Sequence, residues 1–521
     1  MQKIHIIWAD DEIDLLKPHI AFLKAKGYEI TPINNGYDAV EMVREQQFDL
    51  VFLDENMPGV TGLEALQQIK ALKPNLPVVM ISKSEEERIM EEAIGAQIAD
   101  YLIKPVNPNQ IWLSIKKIVD SRRLIGEKTT SDYQQQFSSI GITVGENLNA
   151  AQWAELYDKL CAWEIKLHNS DDNGMQEIFK MQKHEANRQF SRFVSKNYLS
   201  WLKNPADSLT PVMSHNIVQQ KLLPQLSEGE PVFLVVIDNL RLDQFKILQT
   251  VLEQYYRLQQ AETYYAILPT CTEFARNALF AGLMPSEIKR RYQDKWTEED
   301  GGDEHSRNNH EDFLLQEQLK RFGKSQLPHS YTKVTNLSGG KQLVKNVKNM
   351  LKNDLNVIVY NFVDLLSHAR TEMRVIKELA EDEAAYRSIT KSWFENSPLL
   401  DFLKTIATHK IKLVITTDHG SVRVHDPVRI VGDRETTTNL RFKSGKNLSH
   451  SHKSIFEITN PEDAMLPKHN VSSTYAIATH DTFFVYPNNY NQYVHLYENT
   501  FQHGGISLEE MIIPYAVFLP K

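Results

Sequence analysis

Cysteine is nearly absent. Cys161 and Cys271 are the only two in 521 residues, too few for a disulfide framework and suited to a reducing compartment. No apolar run approaches the roughly 20 residues that cross a bilayer. The amino terminus meets Asp10, Asp11 and Glu12 too early for a secretory signal. Positive charge is not in excess either: 58 Lys and Arg stand against 67 Asp and Glu, a formal net charge of -9. That balance disfavours a generally nucleic-acid-binding or membrane-surface chain, and no helix-turn-helix pattern supports DNA binding. What remains is a soluble cytoplasmic protein of ordinary globular composition, long enough for about three domains.

The first thing present is alternation. Over residues 1–122, strands are expected at 4–9, 28–33, 49–54, 77–82 and 100–105. Helices are expected at Ile13–Lys26, Tyr37–Glu45, Gly62–Leu72, Glu85–Ala93 and Pro108–Ser121. Five βα units predict a doubly wound parallel sheet. Asp10 and Asp11 follow the first strand, Asp54 closes the third, Ser82 the fourth, and Lys104 precedes Pro105 at the end of the fifth. Clustered carboxylates suit a hard cation such as Mg²⁺, which with a lysine can neutralise a phosphoryl group transferred to Asp54.

These residues, with Met57-Pro58-Gly59 and Tyr101, resemble the receiver domain of two-component response regulators. The resemblance implies Asp54 as phosphoacceptor. It also implies Asp11, Asp54 and the Asn56 carbonyl as Mg²⁺ ligands, Ser82 and Tyr101 as a switch pair, and Asp10 and Lys104 beside the phosphate.

Residues 123–225 read as a helical linker bundle. Trp153, Leu156, Tyr157, Leu160, Trp163 and Leu167 form one apolar stripe. A turn at Asn169–Gly174 leads to a second helix over Gln176–Leu202, and Ile217–Leu223 predicts a short third. The bundle is either a lever between receiver and output or a packed connector.

In residues 226–521, three apolar runs end near an aspartate: Val232–Ile237 before Asp238, Val357–Val363 before Asp364, and Leu413–Ile415 shortly before Asp418-His419-Gly420. Strand ends of an open α/β sheet gather ligands along one edge. Thr272 is placed at a helix amino terminus after a strand-like Tyr264–Leu268, Asp364 and His368 lie four apart, and His503 precedes Gly504-Gly505. A last strand is expected over Met511–Leu519. Three aspartates, three histidines and a threonine suffice for two metal sites. One takes Asp238, Thr272, Asp418 and His419; the other takes Asp364, His368 and His503. Mixed N/O ligation favours Zn²⁺, then Mn²⁺, and two cations about 4 Å apart suit in-line phosphoryl displacement by a threonine nucleophile.

Asn239, Arg241 and Arg276 are candidate substrate contacts. Arg241 and Asp243 could instead orient the aspartate ending the first strand or form a surface ion pair, and Arg276 a helix salt bridge. Thr297–Asp312 reads as a mobile polar loop. Ser421–Lys453 carries Arg423, Arg429, Arg434, Arg441, Lys443, Lys446 and Lys453, suiting a phosphodiester substrate such as an oligonucleotide or cyclic nucleotide, or else a solvated cap.

The seven ligands, in this order and setting, resemble a PglZ domain of the alkaline phosphatase superfamily. The resemblance implies a bimetallic phosphatase or phosphodiesterase-like core with Thr272 as nucleophile. Sulfatases of that superfamily use C/S-x-P-x-R, which Cys271-Thr272-Glu273-Phe274 does not match. Receiver, linker and PglZ segments together resemble the PorX-type response regulators associated with type IX secretion. That implies a sensor histidine kinase, the cytoplasmic part of the secretion motor and a sigma factor as candidate partners, and a homodimer on phosphorylation. The alternative is a non-catalytic PglZ scaffold that binds such partners in a phosphorylation-dependent way.

Overall fold

The computed structural model describes residues 4–74, 76–83, 98–116, 118, 121–168, 173–296, 308–372, 382–433, 436–450, 455–468, 470 and 472–521. The expected helix Glu85–Ala93, most of the turn Asn169–Gly174 and of the loop Thr297–Asp312, and Arg434 and Lys453 lie outside the described residues, as does the side chain of His368. The chain forms two compact units, Met1–Asp132 and Tyr133–Lys521.

In the first unit, β1 (His5–Ala9), β2 (Glu29–Ile33), β3 (Leu50–Asp54), β4 (Val78–Ser82) and β5 (Asp100–Ile103) pair in the order β2-β1-β3-β4-β5, all parallel. Alternate residues of β1 serve opposite faces. Ile6 and Trp8 pack with Leu23 and Ile111, while Ile7 and Ala9 pack with Val40, Leu66 and Ile69. Helices therefore cover both faces, as a parallel sheet requires. The strand order switches direction between β1 and β3, so their carboxyl ends bring Asp10 and Asp54 to one crevice.

The second unit is built on β6 (Val232–Ile237), β7 (Tyr256–Tyr265), β8 (His329–Val334), β9 (Leu355–Tyr360) and β10 (Lys412–Thr416). Smaller strands follow: β11 (Val422–Arg423), β12 (Asp426–Val431), β13 (Phe442–Gly445), β14 (Ser449–His450), β15 (Ile455–Ile458), β16 (Thr474–Ala478), β17 (Thr482–Val485) and β18 (Phe501–Gln502). The chain closes with β19 (Ile512–Pro520). The main sheet runs β7-β19-β10-β6-β9-β8, parallel from β10 to β8, with β19 antiparallel to both neighbours. The central strands β10, β6 and β9, buried throughout except at Lys412, lie side by side, which sets Asp418, Asp238 and the start of the Asp364 helix along one edge.

Three boundaries differ from the sequence reading. β9 stops at Tyr360, and Asp364 lies in the first turn of the helix Phe362–Glu372. β7 spans ten residues, starting well before Tyr264; Arg257, Gln259 and Ala261 are exposed, and its polar glutamines mask the strand signal. The third linker helix is one π turn, Val218–Leu222, continued by the 3-10 turn Leu223–Gln225. Pro224 removes a backbone donor there.

The linker helices Ser121–Gly145, Ala150–His168 and Asn173–Lys203 do not form a separate core. Trp153, Leu156, Phe190 and Val194 share one apolar cluster with Phe233, Ile237 and Leu268 of the output sheet region. Tyr265 Oη donates to the Ala150 carbonyl at 2.8 Å, and Tyr198 Oη accepts from the Leu268 N–H at 2.9 Å. Among the described residues no helix is long and apolar enough to cross a membrane.

A candidate bimetal site and a phosphoacceptor site

At the receiver crevice, Lys104 Nζ bridges Asp10 at 2.8 Å and Asp54 at 2.7 Å. Asp10 and Asp54 are buried and Asp11 is exposed. One carboxylate oxygen from each lies within 4.8 Å of the others, a set that fits a divalent cation. Burial raises the Asp54 pKa above the ordinary aspartate value, against the pull of Lys104. Burial also works to lower Lys104, but its hydrogen bonds to Asp10 and Asp54 leave it raised. Asn56 is exposed in the loop after β3, and Tyr101 is half-buried on β5. Ser82 Oγ donates to Glu55, a buried carboxylate that the sequence reading did not single out.

In the output unit, Thr272 is the first residue of the helix Thr272–Ala281. Its Oγ lies 3.0 Å from His419 Nε2 and 3.3 Å from Asp238 Oδ1. Asp238, Asp418 and His419 are fully buried, each offering a donor atom within 4.8 Å of the others. Asp418 Oδ2 is buried and accepts no hydrogen bond among the described residues. Burial and then the Asp238 charge push the Asp418 carboxyl well above its ordinary range, against Arg276. Buried carboxylates this close repel unless a cation joins them, so the donor set fits a divalent metal of the Zn²⁺ or Mn²⁺ type. Gly420 is required beside them: a Cβ there would lie 2.1 Å from the Glu509 carbonyl oxygen.

The second set lies alongside. The His503 ring stacks on His419 with centroids 4.5 Å apart, and His503 Nε2 is 3.5 Å from Asp364 Oδ1. His368 is on the same helix as Asp364, one turn further on. Asn239 bridges the sets: its Nδ2 donates to Asp364 Oδ1 at 3.1 Å and its N–H to Asp418 Oδ1 at 3.3 Å.

The arrangement differs from several substrate-contact expectations. Arg276 is fully buried and donates to Asp238 and Glu311, with Asp418 3.6 Å away, so its guanidinium is committed to carboxylates. Arg241 is no surface ion pair. It is buried against Asp243 at 2.6 Å and lies over the Phe501 ring at 4.9 Å. Burial works to raise Asp243, but Arg241 and Arg387 hold it well below the ordinary range. The basic stretch after His419 is not a free loop, because β11 to β14 occupy much of it. Within it Arg441 is buried and pairs with Glu510 at 2.6 Å, and Lys443 is buried and donates to the Thr437 carbonyl at 2.8 Å. Glu311 and Asn308 went unnoticed in the sequence. They sit in an acidic polar stretch with no periodicity, and only the tertiary contact to Arg276 reveals them.

Comparison with known proteins divides the chain in the same order. Residues 6–116 match the response regulator receiver domain, 123–202 the PorX response regulator linker domain, and 217–518 the BREX system PglZ alkaline phosphatase-like domain. The last match covers more than half of the chain, which belongs to the PglZ family. The three matches together are those of a PorX-type response regulator with a PglZ output domain.

The transcriptional regulatory protein ZraR of Klebsiella oxytoca is 32% identical over 140 residues, 27% of this chain and 32% of that one. ResD of Bacillus subtilis is 31% identical over 114 residues, 22% of this chain and 47% of that one. The chain thus spans about a third of the length of the first of these relatives. A CheY-like receiver structure from Methanospirillum hungatei JF-1 is 23% identical and covers 23% of this chain and 96% of its own, with a TM-score of 0.23. A receiver domain implies a cognate sensor kinase.

Proposed function

We propose that phosphorylation of Asp54 controls a metal-dependent phosphodiesterase or phosphatase whose nucleophile is Thr272. In this reading, Asp238, Asp418 and His419 with Thr272 hold one cation, and Asp364, His368 and His503 hold the other. The single observation that carries it is Thr272 Oγ, at a helix start, 3.0 Å from His419 Nε2 and 3.3 Å from Asp238 Oδ1. Those two contacts hold the hydroxyl oxygen in one place, and the positive end of the helix dipole favours a phosphate beside it. Bound Zn²⁺ or Mn²⁺ supplies charge neutralisation and eases loss of the hydroxyl proton. Thr272 Oγ forms the new bond to phosphorus as the substrate's alcohol oxygen leaves and takes up a proton. Water then hydrolyses the phosphothreonine and restores the threonine.

Nucleotide-type phosphodiesters are the substrates to try first. Arg441 and Lys443 give that choice no support, being buried, so it rests on the domain class and on the more accessible Arg423 and Arg429. A role in regulating type IX secretion, with the secretion motor and a sigma factor as partners and a phosphorylation-driven homodimer, belongs to the same proposal; the linker match over 123–202 supports only its PorX-type part. The test is metal content together with hydrolysis of bis-p-nitrophenyl phosphate and p-nitrophenyl phosphate, before and after treatment with acetyl phosphate. Bound metal, metal-dependent turnover and a rate that changes on phosphorylation are expected. A protein that binds partners but has no metal-dependent turnover is the scaffold instead.

A further inference from the structure

Asp238 uses its two oxygens differently. Oδ2 accepts from Arg276 Nη1, while Oδ1 faces Thr272 Oγ at 3.3 Å and His419 Nε2 at 3.8 Å. Asp418 Oδ2 lies only 3.6 Å from the same guanidinium, whose other side is also engaged. Arg276 Nε donates to Glu311 Oε1, and Glu311 is itself fixed. Tyr331 Oη donates to Glu311 Oε2, Lys333 Nζ stands 3.7 Å from that oxygen, and Asn308 Nδ2 donates to Oε1 at 3.0 Å. Glu311 and Arg276 are both about 1% exposed or less, so water cannot substitute for either partner. Asn308 Nδ2 also donates to the Thr272 carbonyl at 3.1 Å, which joins the same assembly to the residue bearing the hydroxyl.

We infer that Glu311 is a positioning residue for the cation-binding carboxylates: it restrains Arg276 so that Asp238 Oδ1 and Asp418 Oδ2 stay available to a metal. The inference rests on the reading of Asp238, Asp418 and His419 as metal ligands and adds a residue outside that set. The charges explain why restraint is needed. A guanidinium beside two buried carboxylates competes with a divalent cation for them, and Glu311 draws it away. Groups that orient ligands in this way typically change metal affinity by about 10-fold to 100-fold when altered.

The experiment is calorimetric titration of the full-length, metal-stripped protein with Zn²⁺ and, separately, Mn²⁺, with thermal melts of the same samples. Glu311→Gln is expected to weaken Zn²⁺ binding by about 10-fold or more. In the double variant Glu311→Gln with Arg276→Gln, the competing cation is gone and most of that affinity returns. If Glu311→Gln does not yield folded protein, Arg276→Gln reads the same competition from the other side and binds Zn²⁺ at least as tightly as wild type. Unchanged affinity in Glu311→Gln, a double variant no tighter than the single one, or weaker binding by Arg276→Gln overturns the inference alone. A wild-type protein that binds neither cation overturns both the inference and the metal reading beneath it.

Discussion

Asn239 Nδ2 donates to Asp364 Oδ1 at 3.1 Å, linking the residue after Asp238 to the carboxylate of the second candidate ligand set. Asn239 holds this position with φ of 60°, a left-handed conformation that asparagine tolerates better than most residues. Asn239→Ala therefore loses a buried hydrogen bond and gains backbone strain, at a cost of about 1–3 kcal/mol in urea denaturation. Asn239→Gly relieves the strain and not the lost bond. It should recover part of the stability while remaining as defective as Asn239→Ala in metal affinity.

The receiver site predicts a pH effect of definite sign. The Asp54 pKa is raised by burial, so the folded protein binds that proton more tightly than the unfolded chain. Between the two values, stability falls as pH rises, and at neutral pH the buried charge is a net cost. Asp54→Asn removes that cost while leaving Lys104 paired with Asp10 at 2.8 Å. Its thermal midpoint should exceed wild type at pH 7, and the difference should shrink as pH falls toward about 4, near the unfolded aspartate value. The same variant should fail to take up phosphate from acetyl phosphate.

Lys443 gives the opposite dependence. Burial pushes its ammonium down to about 7, and its Nζ lies 4.7 Å from the centre of the Tyr486 ring. The unfolded lysine keeps its proton up to about 10.4, so the destabilisation is complete below about 7 and fades as pH rises from there. Lys443→Met should gain most in thermal stability relative to wild type at pH 6 and least at pH 9. A gain independent of pH would contradict the shift.

The linker is tied to the output core by charge as well as by apolar packing. Lys183 Nζ pairs with Glu164 at 2.7 Å and with Glu509 at 3.0 Å. Burial works against its charge, but the two glutamates hold the Lys183 pKa above the ordinary value. Lys183→Met leaves both carboxylates short of a partner. Arg387 still meets Glu164 at 2.9 Å and Asn187 still donates to Glu509 at 2.9 Å, so the expected loss is at the low end for a broken buried pair, about 3 kcal/mol. Denaturation followed at the linker tryptophans and by overall ellipticity should show one shared transition for linker and output, shifted together by this variant.

The sheets were legible because buried parallel strands are short β-branched runs, and their polar ends stand out: Val232–Ile237 before Asp238 and Leu413–Ile415 shortly before Asp418 needed no tertiary information. Thr272 was legible from the break at Pro269 followed by a helical pattern. What escaped was whatever depends on contact across the fold. Arg441 and Lys443 look like solvated cations in sequence, yet Glu510 and the Thr437 carbonyl receive them in the interior. Arg276 offers a positive charge near a phosphate-type helix start, and nothing along the chain shows that Glu311, 35 residues away, already holds it. The linker reads as its own bundle because its stripe faces something, but a stripe does not say what. Here it faces the output core.

The most direct test of the account is the rate at which wild type and Thr272→Ala, each loaded with Zn²⁺, hydrolyse bis-p-nitrophenyl phosphate. At saturating Zn²⁺, removing the proposed nucleophile between His419 and Asp238 should lower kcat by at least about 10³-fold. Equal rates from the two proteins would contradict the account.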